Sequence, residues 1–192
     1  MTENSSLRAI VIYDSKTGNT EKVANIIQET LVEEKVDSTL KRVKDALEEE
    51  LYDYDLVILG TPVFQWLPSK GIQHFINKTM VLHENRGDIK LLAPLIPGKK
   101  AVVFCTYSSP FTGIESAFPC IKYMAQFFKH IGFEVAGEWY VVGEFHGNEE
   151  RSTKGKLGDI RGRPNQADLE EIRGRVIALL RSSSQVNKNP IC

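Results

Sequence analysis

The residues with the clearest chemistry form one short run, SKTGNT: Ser15, Lys16, Thr17, Gly18, Asn19 and Thr20. Hydroxyls, an amide, a lysine and a glycine at this density suit one task, surrounding a phosphate with many neutral donors. The run follows an apolar stretch, AIVIY, and precedes an amphipathic one. It therefore sits where a helix begins, and a helix N-terminus offers free N–H groups and a positive dipole end to phosphate. Gly18 lets the chain turn at little steric cost. Two other phosphate loops are excluded, because neither GxGxxG nor GxxxxGK[ST] occurs in the chain.

Positioning such a loop takes a strand behind it and a helix ahead of it, and the sequence repeats that pattern. RAIVIYD, DLVILGTP and KAVVFCTY are continuous apolar runs bounded by turns, as strands buried on both faces must be. DSTLKRV alternates weakly and reads as a more exposed edge strand, and FEVAGEWYVVG reads as the last strand. Between them, Val23, Ile26, Ile27 and Leu31 fall at helical spacing, as do Ile72, Phe75 and Ile76. Ala117, Ile121, Met124, Phe128 and Ile131 mark a third helix, with Gly132 past its end. Leu169, Ile172, Val176, Leu179 and Leu180 mark the last one, with Asn165 placed to cap it. KDALEEELYDY reads as a short acidic helix, and Leu91, Leu92 and Leu95 are expected to pack on the body.

Strands alternating with helices predict an α/β fold: a three-layer, doubly wound, five-stranded parallel sheet. One domain is expected over residues 7–181, with flexible tails at 1–6 and 182–192. Ligands of such folds bind at the carboxyl ends of the strands. Those ends carry the SKTGNT run, residues 61–66, residues 106–113 and the segment from 144 onward.

Composition narrows the function further. The 192 residues are 42% hydrophobic and 26% charged, with 24 basic and 25 acidic side chains and a net charge of -1. That balance argues against a general nucleic-acid binder. No apolar run approaches a membrane span, so no membrane association is expected. MTENSS has no basic region followed by an apolar core, so a cytoplasmic protein is expected. Cys105, Cys120 and Cys192 form no CxxC pair, and a disulfide between Cys105 and Cys120 would require them to lie close together. His74, His83, His130 and His146 are scattered, and EFHGNEE around His146 reads as a solvated loop rather than a metal site. There is no GxSxG elbow for a hydrolase. A phospho-acceptor receiver would need an aspartate where Gly60, Thr61 and Pro62 stand.

With those alternatives removed, the chain resembles the flavodoxin-like family, whose first loop reads Ser/Thr-x-Thr-Gly-Asn-Thr and wraps the phosphate of FMN. Ser15, Thr17, Gly18, Asn19 and Thr20 match it, with Lys16 in the variable place. The second loop, GTPVFQWLP, resembles the Gly-Thr/Ser-Pro-Val-Tyr pattern of FMN-dependent reductases, with Phe64 at the aromatic place. The resemblance covers about residues 9–181. It implies strand order 2-1-3-4-5 and non-covalent FMN. It also implies that Thr61, Pro62, Val63, Phe64, Gln65 and Trp66 run beside the isoalloxazine ring. Thr106, Tyr107, Ser108, Thr112 and Gly113 would form the other ring loop, with Phe111 as able to stack as Tyr107.

Two features depart from electron-carrier flavodoxins: the chain is nearly neutral, and its second loop lacks a Trp-Gly-Asp type of sequence. The resemblance implies redox protein partners as the first reading. An NAD(P)H-dependent FMN or quinone reductase is the alternative, a cofactor-free binding module is a third class, and self-association stays open. Residues 144–164, with Arg151, Lys154, Lys156, Arg161 and Arg163, are expected to act as a flap or docking surface near the flavin or to be a mobile surface loop.

Overall fold

A computed structural model describes residues 7–186. The strands are β1 (Arg8–Tyr13), β2 (Asp37–Arg42), β3 (Leu56–Pro62), β4 (Lys100–Tyr107) and β5 (Glu134–Val142). The helices are α1 (Asn19–Glu33), α2 (Lys70–Arg86), α3 (Phe118–His130), the short α4 (Glu149–Thr153) and α5 (Gln166–Val186). All neighbouring strands pair parallel, in the order β2-β1-β3-β4-β5. The five parallel strands are those expected from the alternating pattern, and their order is the one the resemblance implies.

The apolar strands are continuous because both faces are covered. Along β1, Ile10 and Ile12 face the α2 and α3 layer, whereas Ala9, Val11 and Tyr13 face the α1 and α5 layer. β2 is an edge strand and its side chains stay partly exposed. The central strands β1 and β3 differ from it in burying nearly every residue.

Three local expectations are corrected. KDALEEELYDY forms two 3-10 turns, Val43–Asp45 and Leu51–Asp53, rather than a helix. Its consecutive acids are drawn to separate partners: Glu48 to Lys78, Glu49 to Lys41 and Glu50 to Arg86. Leu91, Leu92 and Leu95 do not pack on the body; they are 95%, 100% and 64% exposed. A turn with positive φ at Leu92 and Ala93 holds them outward. The final helix runs to Val186, beyond the boundary at 181, and the rest of the expected tails, 1–6 and 187–192, lies outside the described residues.

Asn165 does cap α5, and reciprocally. Its Oδ1 accepts from Asp168 N at 3.2 Å, and Asp168 Oδ2 accepts from Asn165 N at 2.8 Å. Cys105 and Cys120 are buried free thiols. Burial, and then a hydrogen bond with Cys120, pushes the Cys105 thiol well above its usual range, which makes it a poor nucleophile.

Candidate functional site

The SKTGNT turn leaves β1 and delivers the chain into α1. Gly18 is the N-cap with φ 96°, a left-handed conformation that glycine adopts without penalty. It contributes no side-chain cap, so the opening N–H groups of α1 keep no side-chain acceptor. The turn is braced from within: Ser15 N donates to Asp14 Oδ1 at 2.9 Å and Gly18 N donates to Ser15 Oγ at 3.2 Å. Ser15, Asn19 and Thr20 are buried, while Lys16 and Thr17 are exposed.

The same turn is braced from outside. Thr20 Oγ1 lies 2.8 Å from Thr106 Oγ1, a buried pair joining α1 to β4. Asn19 Nδ2 donates to the Glu144 carbonyl at 3.0 Å, and His146 Nε2 lies 3.1 Å from Asn19 Oδ1. Gly143 makes this approach feasible, because a Cβ there would meet Asn19 Nδ2 at 2.7 Å.

A cleft of about 350 Å³ opens at these strand ends. Of the residues singled out in the sequence, Ser15, Lys16, Thr17, Asn19, Thr20, Pro62, Val63, Phe64, Thr106, Tyr107 and Ser108 line it. Gly18 shapes the turn beside it without lining it. Thr61 is fully buried behind it: its Oγ1 accepts from Ser69 N and so pins the start of α2. Gln65 and Trp66 also stand outside the walls. They are the central pair of a tight turn, with φ 48° and 69°, closed by Phe64 and Leu67 bonding each other's backbones at 2.9 and 3.0 Å. Trp66 is 62% exposed. Thr112 and Gly113 likewise lie beyond the walls, in the run-in to α3, where the Thr112 hydroxyl bonds Ser109. Tyr107, nearly buried, is held protonated: burial and then the neighbouring Cys105 raise its phenol, against the opposing pull of Arg163.

Glu144, Phe145 and His146 complete the walls, and the sequence reading did not select them. The positional signal is there, since the segment from 144 onward follows the last strand as the other three loops follow theirs, but it singles out no residue. Residues 144–164 form a folded strap. The buried Ser152 hydroxyl accepts from Phe145 N and donates to Phe145 O, Glu144 N donates to Arg163 O, and Lys156 N donates to Pro110 O. The Arg151 guanidinium lies over Phe145 at 4.9 Å and near Phe111 at 5.9 Å. The strap thus touches both the first loop, through Asn19, and the third, through Pro110. Among the described residues, no group of three or more His, Cys, Asp or Glu side chains could hold a metal, and no helix is long and apolar enough to cross a membrane.

The Flavodoxin domain family matches residues 10–84, from β1 through most of α2. Flavodoxin 1 from Bacillus cereus superposes with a TM-score of 0.64 at 17% identity, covering 91% of this chain and 97% of that one. The chain has the flavodoxin-like fold. It also superposes on rubredoxin oxygen:oxidoreductase from Desulfovibrio gigas, with a TM-score of 0.62 and 16% identity, covering 95% of this chain but 37% of that one. In sequence it is 26% identical over 169 residues to an NAD(P)H dehydrogenase (quinone) from Archaeoglobus fulgidus, covering 73% of this chain and 83% of that protein.

The Flavodoxin domain match and the flavodoxin neighbours imply FMN as cofactor. The cleft fits that group at the level of chemistry. One end offers hydroxyls, an amide and the start of a helix to a phosphate. Asp14, next to Ser15, accepts from Ser15 N, and Glu144, in the wall, accepts from Gly162 N, which lessens their repulsion of an anion. The other end offers Val63, Phe64 and Tyr107 to a flat aromatic ring.

Proposed function

We propose that the protein binds FMN in this cleft and exchanges electrons with protein partners. The observation that carries the proposal is the asymmetry of the cleft. Its phosphate end is buried and cross-bonded, whereas its mouth carries exposed aromatics, Phe64 at 45%, Trp66 at 62% and Phe111 at 77%. Ser15, Thr17, Asn19, Thr20 and the opening N–H groups of α1 would hold the phosphate. Pro62, Val63, Phe64, Thr106, Tyr107 and Ser108 would position the ring and keep water from it. FMN, when bound, supplies one- and two-electron redox chemistry.

Exposed aromatics with an adjacent arginine are the residue types that anchor protein interfaces. Phe64, Trp66, Phe111 and Arg151 would therefore form the docking rim, with Gln65, Thr112 and Gly113 shaping the loops that carry it. Trp66 belongs to this rim rather than to a ring face. Buried free thiols suit a reducing compartment, and a cytoplasmic location is part of the proposal.

A second reading is an NAD(P)H-dependent oxidoreductase, favoured by the named activity of the Archaeoglobus relative. An absorbance spectrum of the purified protein, with FMN added to any apoprotein, followed by anaerobic titration with dithionite and then NADPH, decides between them. Absence of flavin bands under both conditions would overturn FMN binding. Reduction by dithionite in two one-electron stages, with no response to NADPH, is the expected result. Rapid bleaching by NADPH would transfer the assignment to the second reading.

A further inference from the structure

We propose that His146 is the positioning residue for the phosphate end of the cleft, acting through Asn19. The strap after β5 would then sense the cofactor's phosphate rather than act as a lid over its ring. The inference rests on the FMN reading above and extends it to a residue outside the SKTGNT motif.

The strap holds both ends of one amide. Asn19 Nδ2 donates to the Glu144 carbonyl at 3.0 Å, so Oδ1 is left as the acceptor. His146 Nε2, 3.1 Å from that oxygen, must then carry the hydrogen and donate it. Asn19 is the first residue of α1 and is 8% exposed, so fixing its amide fixes the turn that presents the helix's free N–H groups. The third element is Gly143, which permits the backbone of the strap to approach at all.

The strap has the rigidity the role needs. Ser152 ties back to Phe145 in both directions, Ile160 N donates to Ser152 O, and Gly162 N donates to Glu144 Oε2. Arg163 pairs with Asp168 at the start of α5. A group bound against Asn19 is thereby coupled to residues 144–164, and linkage makes the coupling reciprocal: the strap favours the phosphate, and the phosphate orders the strap.

The test compares two ligands that share a ring and differ by the phosphate. Apoprotein is titrated with FMN and with riboflavin, for the native chain, H146A and H146Q, and hydrogen exchange over residues 144–164 is followed with each ligand. His146 is exposed, so these variants should fold. H146A is expected to weaken FMN roughly tenfold, the scale of one lost hydrogen bond, and to leave riboflavin unchanged. H146Q retains an N–H donor and should recover most of the loss. FMN, but not riboflavin, should slow exchange in the strap. If the native chain binds neither ligand, the FMN reading itself fails. If it prefers FMN and H146A keeps that preference, or loses both ligands equally, His146 does not position the phosphate site and the inference fails alone.

Discussion

The two ends of the cleft are built on opposite terms. At the end proposed for the phosphate, Ser15, Asn19 and Thr20 are buried, and hydrogen bonds reach Asn19 and Thr20 from β4 and from the strap. At the ring end, Phe64, Trp66 and Phe111 stand in solvent, and the 64–67 turn bonds chiefly to itself. The difference separates two kinds of work. A group that must be held tightly needs donors fixed before it arrives, because every donor ordered on binding costs conformational entropy. A surface that must meet and release partners needs exposed anchors. If that division is right, substitutions at the phosphate end should act on affinity and stability, and those at the ring end on exchange with partners.

The largest effect is expected at Gly143. Gly143→Val places a Cβ 2.7 Å from Asn19 Nδ2, so the Asn19 amide must give up its bond to the Glu144 carbonyl or the turn after β1 must move away. FMN affinity should fall on the order of a hundredfold, and the fold should lose about 1–3 kcal/mol as in other overpacked sites. Titration of the apoprotein and denaturant unfolding measure the two. Unchanged affinity would mean that the strap's close approach has no bearing on the phosphate.

The Thr20–Thr106 pair comes next. Thr20→Val leaves the Thr106 hydroxyl buried without its partner and should cost about 1–3 kcal/mol. Adding Thr106→Val removes the orphan, so the double variant should recover part of the loss. A double-mutant cycle by chemical denaturation reads the coupling, and simple additivity would show that the two hydroxyls do not depend on each other.

At the ring end the sign reverses. Trp66 holds φ 69° without being a glycine, which costs a side-chain-bearing residue about 1–2 kcal/mol. Trp66→Gly removes that cost but adds backbone freedom to the unfolded chain, so stability should rise by no more than about 1 kcal/mol. FMN affinity should change by less than about twofold, while electron exchange with a protein partner slows. A large loss of FMN affinity would return Trp66 to the ring face and collapse the distinction between the two ends.

The same division explains what the sequence could reveal. The SKTGNT turn was legible because its donors are contiguous and its strand and helix flank it directly. The sheet was legible because burial on both faces leaves strands such as VVFC uninterrupted by polar residues. The position of Trp66 outside the cleft walls was not legible, because the left-handed turn at Gln65 and Trp66 has no glycine to announce it. Glu144 and His146 were not named because their partner, Asn19, is more than a hundred residues away in the chain. The helix expected over KDALEEELYDY was lost to tertiary ion pairs that local periodicity does not record.

The smallest effect sharpens the boundary between the two ends, at Tyr107. Its phenol is raised above the usual value by burial and then by Cys105, with Arg163 opposing. Burial also raises Tyr54 and Tyr140, each to about 12, aided by Glu49 and Glu138 respectively. A phenol whose folded value exceeds its unfolded value stabilises the fold fully below the unfolded value, near 10, and loses that contribution as the pH rises through the folded one. Stability should therefore stay level with respect to these groups up to about pH 10 and fall between there and about 12. Phenolate absorbance on alkaline titration, compared between the native chain and Tyr107→Phe, isolates the cleft residue. The difference spectrum should show a phenol titrating later than a free tyrosine. If it titrates with exposed phenols, Tyr107 is open to water and belongs with the exposed rim rather than with the buried wall of the ring end.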